Sequence, residues 1–247
     1  MKFDRLGNAG WRPLNRVFRP TRKLATVALA LLCLGFPGTV QASDKVSAGV
    51  YNSLSETYYF FFGDTSVAKK RGKPLSSNYK ALKDFGANLP SGWRNGIDAA
   101  VFNSNTKKYY FFKKIDGQWQ FISKPYGSGK AFSAPKSMDA FGANGFPKEC
   151  RVDAATYDPI GKIYYFFRQN GSWCSKKQGG SQNVDIGKRT FSGNYPDGFK
   201  LRAVALRTGS IDNKYYFFSG RNYVANVRGK DGFSQPTSIP NNWPNWP

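Results

Sequence analysis

The sequence predicts an all-β protein, a four-bladed β-propeller preceded by an N-terminal signal peptide. The run Tyr-Tyr-Phe-Phe occurs four times, at 58–61, 109–112, 164–167 and 215–218, with spacings of 51, 55 and 51 residues. Side chains alternate between the faces of a strand, so four consecutive aromatic residues place large rings on both faces of a sheet. Each sheet must then lie between two others. Radially packed blades meet that demand, and a period of about 40 to 50 residues is typical of them.

The first strand of each predicted blade is a short segment rich in small residues, located before the aromatic run. These segments are 46–50, 97–101, 152–156 and 201–205, and they place the blade starts near residues 46, 97, 152 and 201. Backbones crowd where blades converge on an axis, which favours alanine and glycine there. We therefore predict that these are the innermost strands of one propeller spanning residues 43–247.

The rest of each repeat follows the aromatic run. Asp116-Gly117 and Asn170-Gly171 predict tight hairpins, and a third strand carries Trp119, Trp173 or Tyr223 in three of the repeats. Each repeat closes with a segment rich in glycine, proline and aromatic residues, at 85–90, 141–147, 191–196 and 239–244. We expect this segment to wrap the outer edge of its blade and to pack into the neighbouring blade.

Residues 1–42 are predicted to be an export signal. Seven lysines and arginines lie between Lys2 and Lys23, an uncharged apolar stretch spans 24–36, and Ala42 provides a small residue before Ser43. An apolar core of 13 residues is short for a membrane span. We therefore predict cleavage after Ala42 rather than an uncleaved anchor, which would make the mature protein secreted or periplasmic and leave it without a membrane span.

The chain is strongly basic, with a net charge of +22, and residues 43–247 retain 30 basic and 14 acidic residues, a net charge of +16. Basic residues recur on predicted hairpins and strand ends, where we expect them to be solvated: Lys69-Lys70-Arg71 with Lys73, Lys107-Lys108, Lys113-Lys114, Lys176-Lys177 and Lys188-Arg189. They protect strand edges from pairing with other chains, or they bind a polyanion.

Among these groups, Lys69, Lys70, Arg71 and Lys73 form the candidate site for an anionic ligand. Nucleic acid is not expected as a partner, because an exported protein seldom meets it and the aromatic runs are committed to the core. A positive field also attracts lipopolysaccharide and anionic membrane surfaces, and we favour an anionic glycan or a protein as the partner.

Two cysteines follow the predicted signal, Cys150 and Cys174. Exported chains meet oxidising conditions, so a disulfide is expected. Against it, Cys150 precedes the innermost strand and Cys174 lies on the third, two strand spacings or roughly 9.6 Å away in the sheet, which is more than a disulfide spans. A bridge requires the loop before Arg151 to fold over, and two free thiols are the alternative.

The chain contains no histidine. This excludes catalytic triads and metal sites built on histidine, and two cysteines cannot form a structural zinc site alone. Asp98 and Asp153, at equivalent places in repeats two and three, could converge as an acid/base pair. We favour a structural role for them, and no enzyme activity is predicted.

The repeats resemble the hemopexin repeat. Its pattern is a small-residue inner strand, often Asp-Ala-Ala, then Lys-x-Tyr-Phe-Phe, a glycine turn, an aromatic residue and a closing Phe/Pro segment. The nearest match is 97–101 with 108–112, and the resemblance covers 46–247. A kelch propeller has a similar period but requires glycine doublets, and only Gly179-Gly180 is present.

The resemblance implies a central channel in which an ion, calcium, sodium or chloride, is held mainly by main-chain carbonyls. The corresponding strand starts here are Ser47, Asp98, Asp153 and Arg202. Ser47 and Arg202 depart from the family pattern, and an inward guanidinium at Arg202 could replace a cation by neutralising an aspartate. Bis-histidine haem ligation is impossible in this chain, which disfavours haem. The cysteine pair also differs from the first-to-last-blade disulfide common in hemopexin domains.

Three functions follow as hypotheses. The favoured one is an exported, non-catalytic binding protein that recognises an anionic glycan, a protein or a small ligand through its loops or channel mouth. The alternative, also implied by the resemblance, is a secreted toxin-like or host-directed protein, for example an insecticidal one. An enzyme is the third, and it lacks a recognisable catalytic set.

Overall fold

The computed structural model describes residues 46–127, 129–141, 146, 150, 152–169, 172–179, 185–187, 199–208, 213–230 and 232–239. The predicted signal peptide, residues 1–42, lies outside them. The described residues form four antiparallel four-stranded sheets and three short 3₁₀ helices, Leu82–Phe85, Ser91–Trp93 and Met138–Phe141. The predicted all-β architecture of four blades is therefore confirmed.

Each blade is a meander whose strands run in chain order from the axis outward. The first blade contains β1 Ala48–Asn52, β2 Thr57–Phe62, β3 Thr65–Lys70 and β4 Lys80–Ala81. The second contains β5 Ala99–Asn103, β6 Lys108–Ile115, β7 Gln118–Pro125 and β8 Lys136–Ser137. The third contains β9 Ala154–Asp158, β10 Ile163–Phe167, β11 Trp173–Lys177 and β12 Asp185–Gly187. The fourth contains β13 Ala203–Arg207, β14 Lys214–Ser219, β15 Asn222–Val227 and β16 Thr237–Ser238.

The aromatic runs lie on the second strands and fill the spaces between blades. Phenylalanines of adjacent blades meet edge to face, with ring centroids 5.1 to 5.7 Å apart. The four pairs are Phe60–Phe218, Phe61–Phe111, Phe112–Phe166 and Phe167–Phe217. Because successive side chains point to opposite faces, each run contacts both neighbouring blades, as the sequence predicted.

The innermost strands β1, β5, β9 and β13 pack side by side and close the ring. Gly49 shows why small residues are needed at this place. A Cβ added to Gly49 would lie 3.2 Å from the Cβ of Ala203, on the strand that closes the ring. A hydrophobic cluster between the fourth and first blades includes Phe60, Ala203 and Phe218, so the closing interface is packed like the others.

The ends of the innermost strands are linked to the next blade by polar side chains. Asn52 Nδ2 donates to the hydroxyl of Tyr109, and Asn103 Nδ2 donates to the hydroxyl of Tyr164. In the third blade the equivalent residue is Asp158, whose side chain is 2 % exposed and whose Oδ2 accepts from Arg228 Nε at 2.8 Å. An ion pair between a buried carboxylate and a partly exposed guanidinium therefore stands where the first two blades use an asparagine.

Cys150 and Cys174 form a disulfide with a Cα–Cα distance of 6.1 Å. The prediction of a bridge is confirmed, and the observed distance is shorter than the two strand spacings that would separate the cysteines within the sheet. Both cysteines belong to the hydrophobic cluster between the second and third blades, together with Val152 and Phe166. Their Cα atoms are closer than two strand spacings, and both side chains lie in this cluster between the blades.

The outer edges differ from the prediction in one respect. The fourth strands β4 and β8 have two residues each and precede the closing segments that were expected to form the edge. Phe85 and Phe141, the first residues of the closing segments, end 3₁₀ helices and turn inward. Their ring centroids lie 5.6 Å from those of Phe111 and Phe166 respectively, so the expected packing into the neighbouring blade is observed for these two. The closing segments 191–196 and 240–244 lie outside the described residues.

Candidate functional site

The four predicted channel residues meet at one end of the propeller, which we call the channel mouth. Ser47, Asp98, Asp153 and Arg202 line a single cavity of about 280 Å³. Lys114, Trp119 and Gln169 complete its lining. The reason is internal symmetry: in every blade, the amide at this position donates to the carbonyl of the last residue of the aromatic run, at 2.8 to 2.9 Å.

Hydrogen bonds hold the carboxylates of the channel mouth in equivalent positions. Asp98 Oδ2 accepts from the Lys114 amide at 2.8 Å, and Asp153 Oδ2 accepts from the Gln169 amide at 2.9 Å. Burial raises the pKa of the Asp98 carboxyl, and the nearby charge of Asp153 adds to the rise. The Lys114 amide and the Lys113 ammonium oppose this effect. Both aspartates thus stabilise the hairpin between the second and third strands of their blade.

The side chains of the channel mouth fit a bound cation poorly. The lining offers two carboxylates and the Ser47 hydroxyl, which donates to the Phe61 carbonyl at 3.1 Å. It also contains the Arg202 guanidinium, which has donors only and repels a cation. In the part of the chain that the structure describes, no group of three or more acidic or cysteine side chains could hold a metal ion. The channel ion stays a prediction, with main-chain carbonyls as its expected ligands.

We expect the substitution Asp98→Asn to stabilise the protein at pH 7 and to lose this advantage in acid. A carboxyl whose pKa is higher in the folded than in the unfolded state binds more protons when folded, so it lowers stability as the pH rises through its folded pKa. The amide oxygen of the substituted side chain can still accept from the Lys114 amide. Urea unfolding at pH 7 and at about pH 3.5, below the unfolded aspartate pKa of about 3.9, measures the difference.

The control for this prediction is Asp116→Asn, at an exposed hairpin position, which should change stability by less than about 0.5 kcal/mol at either pH. An Asp98→Asn variant that is less stable than wild type at pH 7 would contradict the prediction.

The four residues of the predicted anion-binding cluster have different surroundings in the structure. Arg71 Nη1 lies 3.1 Å from Glu56 Oε1, and Lys69 Nζ donates to the carbonyl of Lys73. Burial lowers the pKa of Lys69. Lys70 and Lys73 are exposed. Two of the four cations are therefore engaged within the protein, and two face solvent.

Lys69 has equivalents in the other blades, at the position opposite the first tyrosine of each aromatic run. They are Lys124, Lys176 and Asn226. Lys124 and Lys176 are buried, so the expectation that Lys176 is solvated was wrong, whereas Lys177 is exposed. The period-2 alternation of a strand explains the difference, because it directs adjacent lysines to opposite faces. Lys188-Arg189 lies outside the described residues.

A group of exposed cations lies at the end opposite the channel mouth, which we call the basic end. It is formed by the connections between first and second strands and by the ends of the third strands. Its exposed lysines include Lys70, Lys73, Lys107, Lys108, Lys162, Lys177 and Lys230. Among the described residues of this end the acids are Glu56 and Asp158, and each is paired with an arginine. The sequence indicated the excess of positive charge but not its location.

A cavity that the sequence did not predict lies between the first and second blades. This interblade cavity has a volume of about 580 Å³. Its walls include the aromatic residues Tyr59, Phe85, Tyr109 and Tyr126 and the buried Lys124. The amide of Tyr126 donates to the carbonyl of Lys107 at 2.7 Å, which places this wall beside the basic end.

No family model matches the chain. It is similar to the solved structure of a hemopexin fold protein from cow pea, with 19 % identity, a TM-score of 0.60 and coverage of 81 % of this chain and 95 % of that one. It is also similar to two proteins from Cicer arietinum, a plant albumin showing hemagglutination and a plant lectin with two metal binding sites. Each has 18 % identity, a TM-score of 0.58 and coverage of 81 % of this chain and 96 % of the other.

These likenesses show that the chain has the hemopexin fold, as the repeats predicted. None of the helices in the described part of the chain has the length and apolar character of a membrane span.

Proposed function

We propose that this protein is an exported, non-catalytic binding protein that recognises anionic glycans through the basic end of its propeller. The observation that carries the proposal is the set of exposed lysines at that end, beside acids that are already paired with arginine. Such a surface attracts polyanions and has no carboxylate free to repel them among its described residues.

The choice of a glycan rests on two further points. The Cicer arietinum proteins of the same fold are described as a lectin and as an albumin showing hemagglutination, which supports a carbohydrate ligand here. The disulfide is typical of proteins that leave the reducing cytosol. Together with the basic and apolar segments of residues 1–42, it supports export after cleavage at Ala42.

Heparin-affinity chromatography with a charge-matched pair of variants tests the proposal. Lys108→Glu with Lys177→Glu reverses two charges at the basic end, and Lys200→Glu with Arg221→Glu reverses two exposed charges at the channel mouth end. We expect the first pair to weaken heparin binding about tenfold and the second to change it less than about threefold. Each exposed charge contact contributes up to ~1 kcal/mol, and reversal adds repulsion.

A sulfonate cation exchanger provides the control, because both pairs change the net charge equally and should shift elution from it by the same amount. If the two pairs lose heparin binding equally, retention reports net charge alone and the proposal is wrong.

A further inference from the structure

The interblade cavity combines aromatic walls with hydrogen-bonding groups. Its volume of about 580 Å³ is within the range of roughly 300 to 1,000 Å³ that small-ligand sites occupy. Tyr126, at its rim, is 39 % exposed. Ser76, Asn78 and Asp84 provide polar groups in the lining. Flat aromatic faces beside amide, hydroxyl and carboxylate groups suit a ligand that has both C–H faces and hydroxyls, which a sugar ring has.

Lys124 gives this cavity a buried positive charge. The residue is 3 % exposed, and its Nζ donates to the carbonyls of Gly127 at 2.9 Å and Pro125 at 3.3 Å. The ammonium also lies over the rings of Phe85 and Tyr109, 5.4 and 5.7 Å from their centroids. No carboxylate among the described residues lies within 4.0 Å of it. An ammonium has three donors, so one is left for a group in the cavity.

The hydrogen bonds from Lys124 close the turn after the third strand, but a lysine is not needed for that purpose. Asn226, the equivalent residue of the fourth blade, donates to the carbonyls of Lys230 at 3.0 Å and Gly232 at 2.6 Å without a charge. The second blade instead has the cation Lys124 at this position, and burial lowers the pKa of its ammonium group. The closing segment of the first repeat leaves room for the Lys124 side chain, since a Cβ added to Gly86 would lie 2.6 Å from Lys124 Cε.

We infer that the interblade cavity binds a uronic acid residue, an inference that rests on the proposed glycan-binding function. The sugar carboxylate accepts from Lys124 Nζ, the sugar ring packs against Tyr126, and its hydroxyls bond to Asn78 and Asp84. A charge-assisted pair of this kind is stronger than one between neutral groups. The Asp84 carboxylate in the same lining opposes a second negative charge, so a monoanionic uronate is preferred over a sulfated sugar.

Binding of sodium D-glucuronate, measured by saturation-transfer NMR and isothermal titration calorimetry, tests this inference, with D-glucose as the uncharged probe. We expect wild-type protein to bind glucuronate at least tenfold more tightly than glucose. Lys124→Asn should abolish this preference while closing the turn as Asn226 does. The matched control is Lys200→Asn, which removes one exposed charge outside the cavity, at the channel mouth end. It should change glucuronate binding less than twofold.

Tyr126→Ala is the second variant, because the side chain is partly exposed and its loss should leave the fold intact. We expect about tenfold weaker binding of both sugars, which keeps the inference testable if Lys124→Asn does not fold. Undiminished glucuronate binding in either folded variant overturns the inference.

Heparin retention separates this inference from the proposed function. Glucuronate binding that Lys124→Asn leaves unchanged, with heparin retention still specific for the basic end, overturns the inference alone. Heparin retention that follows net charge, with glucuronate binding lost in Lys124→Asn, overturns the proposed function and supports the cavity as a uronate site.

Discussion

Replacement of Phe166 by alanine is expected to lower the free energy of unfolding by about 4 kcal/mol, within the range of 3 to 5 typical of buried phenylalanines. The Phe166 side chain is fully buried. Its ring lies edge to face with those of Phe112, Phe141 and Phe146, at centroid distances of 5.5, 5.6 and 5.0 Å. The substitution therefore removes apolar contacts from two blades at once and leaves a cavity between them.

Urea unfolding followed by tryptophan fluorescence measures this change, and the melting temperature should fall by roughly 8 to 16 °C for a domain of this size. The control is Leu54→Ala, at a side chain that is 47 % exposed, which should cost less than about 1 kcal/mol. A Phe166→Ala variant as stable as the control would show that the interfaces between blades do not hold the ring together.

Arg228→Met is expected to destabilise the protein by about 3 kcal/mol, because it leaves a buried carboxylate without its charged partner. Asp158 Oδ2 would lose the bond from Arg228 Nε. Asp158 Oδ1 would keep its bonds from the amides of Ile160, at 2.9 Å, and Gly161, at 3.2 Å. These two bonds place the expected cost at the lower end of the 3 to 5 kcal/mol typical of broken buried pairs.

Adding Asp158→Asn to Arg228→Met should recover stability to within about 1 kcal/mol of wild type, because no unpaired buried charge is then left. The first two blades show the reason, since Asn52 Oδ1 accepts from local amides while its Nδ2 donates to Tyr109 of the next blade. The asparagine that replaces Asp158 can do the same, with Tyr215 as the equivalent tyrosine. The double-mutant cycle measures the coupling, and strictly additive losses would contradict it.

The repeat pattern was sufficient to predict the fold. Strand periodicity forces Phe61 and Phe112 onto faces that only a neighbouring blade can cover, and small residues such as Gly49 indicate where the strands converge. The joint location of Ser47, Asp98, Asp153 and Arg202 follows from the same symmetry, because equivalent positions of equivalent blades meet around one axis.

Other features depend on contacts between segments that the repeat pattern does not contain. The burial of Lys176 requires knowing which side of the third strand faces the neighbouring blade. The pairing of Cys150 with Cys174 depends on packing between the second and third blades, and the interblade cavity depends on how Phe85 and Gly86 lie against the second blade. Periodicity alone does not describe any of these contacts.

Carboxylates and lysines are unequally distributed between the two ends of the propeller, which gives the protein an electric dipole along its axis. Asp64, Asp98, Asp116 and Asp153 all lie at the channel mouth end, where they balance part of the positive charge of Lys114, Lys200 and Arg221. At the opposite end, the acids among the described residues are already paired with arginines, and the exposed lysines are not balanced in this way. Near a negatively charged surface, such a dipole experiences a torque that turns the lysine-rich face toward that surface before contact. The protein would then settle with a defined orientation, and the channel mouth would face outward and remain accessible to a second molecule.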